Sequence, residues 1–422
     1  MKVASLIKNY LTYTKLQTRA AVRSLARLVW RPVVVRRCGI LLWPPLKSDT
    51  DIMKEQQNAI DQFNFYFSGT DVELCYYTCK TGVYERWQIQ AGAAPQRVNW
   101  GGRPGPLWSQ MSRYRAVALQ ADSTKRGLTA VVPHIVVLSH WGDVVWPSLL
   151  REMIPTHIDW PKRTADLFQH ARNNWDQAKV AVIGSGPSSE AFLDDRKRIT
   201  FDHVVVANLV ALRPEYITGN GTSSVWICAY DPNFFDAGPL SSDMRLALQS
   251  ALRFGGNCYF VTSDYLERHL ELHYPSSTVE RTISVSTRRT NRFLDHWNID
   301  LAASQRVVET GNVGTTLMLP VAATLGQTIV IYGMDGFDRR SDSVHMPHHP
   351  ALRSDHLDQL SNTPLSQKRA PGSAMLQELE IFESASRGLV QAMLSRGHRV
   401  ILSRPSLNAG LAGLPILDDK EI

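Results

Sequence analysis

The sequence is short of several things, and each shortage removes a class of protein. It has five cysteines in 422 residues, an odd number at low density. That excludes a disulfide-built scaffold and fits reduced thiols. Cys75 and Cys79 lie four apart with no cysteine or histidine pair at zinc spacing beside them. No run of 18 apolar residues occurs, so no membrane-spanning helix is expected. No clean apolar segment follows the N-terminal basic residues, so no signal peptide is expected. Internal repeats and low-complexity tracts are absent too.

What is present is a folding chain with 44% hydrophobic and 20% charged residues, long enough for two cores. The net charge of +7 is uneven. Residues 1–50 hold ten Lys and Arg from Lys2 to Lys47 against the single acid Asp49, a charge of about +9, which leaves the remainder slightly acidic. The basic character therefore belongs to one end. Such a segment suits an anionic membrane surface, with Val3, Ile7, Tyr10 and Leu11 on one side of a drawn helix. A solvated extension, or a helix packed on protein, suits it equally. No nucleic-acid partner is expected.

Three parts follow: a basic extension over 1–50, a smaller N-terminal α/β domain over 51–175, and an α/β domain over 176–422. In the second part the pattern suggests a helix over Ile52–Phe63. Strands are suggested at 72–78, 83–89 and 116–119, and a β-branched run covers 130–139. In the third part six apolar strands alternate with helices, at 179–183, 203–207, 224–229, 257–261, 328–332 and 398–402. Helices are expected at 316–325 and 375–395. Apolar strands alternating with helices predict a Rossmann-like parallel sheet covered on both faces. Residues 339–374, rich in Arg, Asp, Ser, His and Pro, read as one long loop.

The first strand runs into Gly184-Ser185-Gly186-Pro187-Ser188. Small residues at a strand–helix turn let backbone N–H groups approach a phosphate. The third glycine of a dinucleotide fingerprint is missing, and Asn208 stands where an acid would take a ribose. Both departures speak against NAD or FAD and leave a nucleotide or phosphate site. Thr310-Gly311-Asn312-Val313-Gly314-Thr315-Thr316 precedes a helix and can form a second anion nest, or merely an N-cap. Asp231, in Tyr230-Asp231-Pro232-Asn233-Phe234-Phe235, and Asp335, in Gly333-Met334-Asp335-Gly336, follow strands where α/β sheets bind ligands. The long loop adds His345, His348, His349 and His356, candidates for general-base chemistry.

Val182-Ile183-Gly184-Ser185-Gly186-Pro187-Ser188, Asn208, the Asp231 turn, Thr310-Gly311-Asn312, Tyr332-Gly333-Met334-Asp335 and Ser403-Arg404-Pro405-Ser406, in that order, resemble the bacterial sialyltransferase family. They are similar also to the Kdo transferases of surface polysaccharide assembly and, more distantly, to pterin pyrophosphokinase-like proteins. The resemblance covers about residues 178–410. It implies a variant of the two-domain glycosyltransferase architecture and a cytoplasmic enzyme, with residues 1–50 able to hold it at the inner membrane. A CMP-activated acidic sugar would be the donor, with no metal required, and an oligosaccharide or glycolipid the acceptor. By the same resemblance, Gly184 to Ser188 and Asn208 would contact the nucleotide, while Thr310, Gly311 and Asn312 would hold its cytidine or phosphate end. Inverting sialyltransferases carry Asn before Pro in the turn after the third strand, where this chain has Asp231. A carboxylate can attack an anomeric carbon, so the resemblance favours a retaining Kdo transferase with Asp231 as nucleophile. An inverting enzyme would instead use His348 or His349 as base. Glu152 or His140 would serve as acid/base from the N-terminal domain, and Arg281, Arg288 or Arg289 would stabilise the departing phosphate. A pyrophosphokinase-like enzyme and a non-catalytic nucleotide- or glycan-binding module remain alternatives.

Overall fold

The computed structural model describes residues 39–47, 50–80, 83–93, 96–98, 116–120, 135–138, 145–172, 174–217, 224–230, 235, 239–254, 257–288, 297–336 and 373–418. The chain divides into two units between Pro155 and Thr156.

The first unit is built on a mixed six-stranded sheet. Its strands are β1 (Ile40–Lys47), β2 (Glu73–Lys80), β3 (Val83–Gln90), β4 (Gln96–Val98), β5 (Ala116–Gln120) and β6 (Ile135–Leu138), in the order β4-β3-β2-β1-β5-β6. β2, β3 and β4 are antiparallel neighbours, whereas β1 pairs in parallel with both β2 and β5. β1 falls inside the stretch read as a basic extension, where arginines and Pro44-Pro45 hide it. Instead it is a central strand of this sheet. Its entry depends on Gly39 at φ +92°, where a Cβ would lie 2.5 Å from the carbonyl oxygen of Glu73. The helix Thr50–Phe67 packs on the helix Val145–Met153 through Phe63, Phe67 and Trp146, all buried, with ring centroids 5.2–6.4 Å apart.

Among the described residues the second unit holds eight strands: β7 (Lys179–Ile183), β8 (His203–Ala207), β9 (Ser224–Cys228), β10 (Cys258–Ser263), β11 (Thr282–Arg288), β12 (Arg306–Val308), β13 (Thr328–Tyr332) and β14 (Arg399–Leu402). All are parallel, in the order β12-β11-β10-β9-β8-β7-β13-β14. This is the parallel α/β sheet that the alternating apolar runs predict. β11 and β12 escape the sequence reading because Thr282, Ser284, Ser286 and Thr287 make β11 polar, and β12 has three residues. β11 is buried by partnered hydroxyls: Ser284 Oγ donates to Glu267 at 2.5 Å, and Ser286 Oγ to Asp264 at 3.0 Å. The chain builds outward from β7 through β12, then returns to β7's other side for β13. The order therefore reverses between β7 and β13, the point where open α/β sheets leave a crevice for ligands.

Apolar contact fixes the layers. Val180, Ala181, Val182 and Ile183 are fully buried, and Phe168 stacks on Trp226 at 5.3 Å. Phe168 lies on the helix Trp160–Ala171, which starts at the N-cap Asp159 with Pro161 in its first turn. Thr164 on that helix exchanges hydrogen bonds of 3.1 Å with the backbone of Ser284 in β11. The helix thus belongs to the second unit, although the sequence reading begins that domain only at 176. The helix Leu319–Leu325 is buried on every side, as its apolar sequence requires, and its one polar residue, Thr324, donates to Pro320 O at 2.8 Å.

Burial sets the behaviour of several titratable groups. Desolvation pushes the Cys258 thiol up to about 12 and raises Cys228 further, so both act as core residues. It lowers the pKa of His203, His269 and His398 below the ordinary 6.5. These imidazoles stay neutral in the fold while the unfolded chain takes up protons near pH 6.5. Stability should be level above that pH and fall below it, by up to about 1.4 kcal/mol per pH unit for each group. Urea unfolding at pH 8, 6.5 and 5.5 should show a small decline over the first interval and a steeper one over the last. Equal midpoints at pH 6.5 and 5.5 would contradict it.

Candidate functional site

At the point where the strand order reverses, the segments after β7 and β13 bind one another directly. The N–H of Gly184 donates to Tyr332 O at 2.8 Å and that of Gly186 to Gly333 O at 2.9 Å. In return Gly333 N–H donates to Ser188 Oγ at 2.9 Å, and Ser188 N–H donates to Asp335 Oδ2 at 2.8 Å. The backbones come too close for side chains. A Cβ at Gly184 would stand 2.4 Å from Gly333 O, and one at Gly333, itself at φ +63°, 2.3 Å from Gly184 O. A Cβ at Gly186 would meet Asp335 Oδ2 at 2.4 Å. These glycines serve chain-to-chain approach, the need that a G-x-G turn shares with phosphate binding. The anion facing this turn is the protein's own Asp335 carboxylate, and the N–H groups of Gly186 and Ser188, read as nucleotide donors, point to protein acceptors. Ser185 and Asp335 are half-buried beyond the carboxyl ends of β7 and β13.

The second glycine turn is arranged differently. Gly311 is exposed at φ +77° with open space where a Cβ would be. Asn312 Oδ1 accepts the N–H of Gly314 at 2.8 Å, and Asn312 O accepts that of Thr316 at 2.9 Å, which starts the helical turn Gly314–Met318 and continues into Leu319–Leu325. Behind the turn, Thr310 Oγ1 lies 2.6 Å from Thr315 Oγ1 and 2.8 Å from Thr316 Oγ1, and Thr310 N–H donates to Thr316 Oγ1 at 3.1 Å. Among the described residues no acceptor takes the N–H of Gly311, Asn312 or Val313. Successive unengaged N–H groups around a left-handed glycine form a concavity suited to an anion.

Met334 joins the two turns. A Cβ at Gly184 would lie 3.3 Å from Met334 Cγ, and one at Gly314 3.0 Å from Met334 Cε. The small-residue turns therefore flank one buried side chain. β9 reaches the same place: Tyr230, two residues beyond its end, receives a hydrogen bond from Thr316 Oγ1 on its hydroxyl at 3.4 Å. Asn208, at the end of β8, is half-buried, with Oδ1 on the N–H of Leu209 at 2.8 Å. The carboxyl ends of β7, β8, β9 and β13 thus supply neighbouring groups to one edge. Thr315, Thr316 and Met334 carry this geometry without having been assigned a role from sequence. The TGNVGTT run signals the threonines, whereas nothing in sequence marks a methionine as a spacer.

Other candidates fall elsewhere. Asp231, His140, Arg289, His348 and His349 lie outside the described residues, as does the side chain of Glu152, on the helix Val145–Met153. Arg281 stands ahead of β11, at the amino edge of the sheet, and donates to Leu252 O at 2.7 Å. A seven-residue strand spans roughly 23 Å, so Arg281 is far from the carboxyl edge and cannot steady a leaving group there. Arg288 ends that strand at the carboxyl edge. At the end of β13, burial and the adjacent Asp195 carboxylate raise the pKa of the Tyr332 phenol, which stays protonated near neutral pH. Among the described residues no group of three or more His, Cys, Asp or Glu is placed to hold a metal ion. None of their helices is long and apolar enough to cross a membrane.

Comparison with protein-family models, with curated proteins and with solved structures returns no match. The site is therefore read from its own geometry.

The backbone clamp generates a prediction. Gly333→Ala adds a Cβ in a left-handed conformation against a carbonyl that has no room to move. It should cost about 2 kcal/mol or more, read as a lower urea midpoint, while Gly311→Ala, which meets no neighbour, should cost about half that. Equal losses at the two positions would contradict the clamp.

Proposed function

We propose that the chain is a glycosyltransferase that takes an acidic ulosonic sugar of the Kdo type from its CMP-activated form. It passes the sugar, with retention of configuration, to a saccharide acceptor in surface polysaccharide synthesis. The observation that carries this reading is the meeting of the open Gly311–Val313 turn with the carboxyl ends of β7 and β13 around Met334, and with that of β9 through Thr316 and Tyr230. A phosphate at Gly311–Val313 would receive N–H donors that no described acceptor uses, and Asn312 would keep the turn in shape by holding Gly314. Asp231, one residue beyond Tyr230, enters as nucleophile. Its carboxylate oxygen forms a bond to the anomeric carbon while the bond from that carbon to the CMP oxygen breaks, and CMP leaves with the electron pair. The acceptor hydroxyl then displaces the carboxylate from the same carbon and gives up its proton to a base. Nucleophilic attack, positioning and charge stabilisation supply this chemistry, and none of them asks for a metal. Residues 1–38, ahead of β1, carry nine Lys and Arg and no acid, and would hold the enzyme near an anionic membrane where lipid-linked acceptors are made.

Calorimetric titration with CMP, UMP, GDP and ATP tests the class. CMP should bind best, and Asn312→Ala should weaken it by about tenfold, the loss of one or two hydrogen bonds. Asp231→Asn should keep CMP affinity and abolish transfer. A preference for ATP with Mg²⁺ would point to the pyrophosphokinase-like alternative. Near-normal transfer by Asp231→Asn would remove the nucleophile and leave an inverting mechanism with a loop histidine.

A further inference from the structure

The least expected feature of this edge is how Tyr230 is held. Its carbonyl oxygen accepts a hydrogen bond from the hydroxyl of Tyr265, which follows β10. Its own hydroxyl accepts from Thr316 Oγ1, in the first turn after the glycine loop. The side chain is nine-tenths buried, and Ala229 just before it donates to Val261 O at 3.0 Å. The residue is thus fixed at main chain and side chain by two different elements. Thr316 is in turn tied to Thr310 N–H and Thr310 Oγ1, at the start of the Gly311 turn. A chain of hydrogen bonds runs Thr310–Thr316–Tyr230–Tyr265, linking the open turn after β12 with the carboxyl ends of β9 and β10.

Stability alone does not ask for this arrangement. Phenylalanine would fill either tyrosine's apolar space, and a strand already paired on both sides needs no further anchor at its end. What the two hydroxyls add is direction: they set where the chain leaves β9, relative to the turn with unengaged N–H groups. We infer that Tyr265 and Thr316 are positioning residues which, through Tyr230, hold the exit of β9 in register with the Gly311 turn. This rests on the proposed reading of that edge as the reacting edge, since Asp231 is the next residue along. Neither tyrosine touches the reacting atoms on this account. Each acts through the placement of its neighbour, and a misplacement of about 1 Å can cost on the order of 100-fold in rate.

Tyr230→Phe and Tyr265→Phe in the full chain test the inference, with two separate readouts. Amide hydrogen exchange over Ser224–Tyr230 reports the anchor itself and needs no ligand. Both variants should exchange faster than wild type there by about tenfold, with thermal midpoints and exchange in β7 and β13 unchanged. Steady-state transfer from a CMP-activated ulosonic sugar reports the consequence. Both variants should lose kcat by on the order of 10- to 100-fold while donor KM and calorimetric CMP affinity stay within about threefold. Unchanged exchange in both variants overturns the inference whatever the activity shows. Faster exchange with unchanged kcat also overturns it, because the anchor would then be structural only. If wild-type protein neither binds CMP nor transfers sugar, the proposed function fails, and hydrogen exchange still decides whether the hydroxyls hold the strand exit.

Discussion

The direct bonding of backbone to backbone between the ends of β7 and β13 is the constraint on which the rest of the second unit depends. Two parallel strands that end side by side at a reversal of strand order normally diverge into a crevice. Here Gly184, Gly186 and Gly333 let the two segments interlock by reciprocal N–H bonds, with Ser188 and Asp335 closing the pattern. The interlock needs residues without Cβ on both sides, so it is written in glycine. It also fixes Met334, and Met334 in turn spaces the first glycine turn from the second. Without it the Gly311 turn would have no defined relation to β7.

One consequence concerns charge. A G-x-G turn after a strand offers N–H groups to an anion, and this protein supplies one of its own in Asp335. The positive end of the short helical turn at Pro187–Glu190 is thereby compensated. The second turn lacks such a partner among the described residues, and its glycine is exposed where Gly184 is buried. Two turns alike in composition thus differ in what they have left to offer. The difference lies in hydrogen-bond occupancy, which no count of glycines reveals.

Much of the second unit was legible because its strands are fully buried and so nearly pure in Val, Ile and Ala. Lys179–Ile183, His203–Ala207 and Thr328–Tyr332 were read to the residue. The polar β11 was not, because its burial is satisfied by hydroxyl–carboxylate pairs that look like loop composition. β1 is hidden by basic neighbours and two prolines, and a boundary at 176 leaves out the helix Trp160–Ala171, whose anchor, Thr164 to Ser284, is 120 residues away in sequence. In the site, the two glycine turns and the carboxyl ends of the strands were legible as pieces. Their meeting around Met334, the internal use of the Gly184 turn and the hold on Tyr230 were not, since each depends on contacts between distant segments. Charge alone offers Arg281 to the leaving group, whereas strand direction puts it at the opposite edge.

On the proposed reading, an anionic nucleotide meets the Gly311–Val313 turn while the Gly184–Ser188 turn stays bound to its own chain. The most direct measurement is a titration of ¹⁵N-labelled protein with CMP, followed by amide chemical shifts. Large, saturable shifts should appear at Gly311, Asn312 and Val313, with the Gly186 and Ser188 amides staying near their unliganded positions. The reverse pattern, with Gly186 and Ser188 released from Gly333 and Asp335 and the Gly311 turn unmoved, would contradict it.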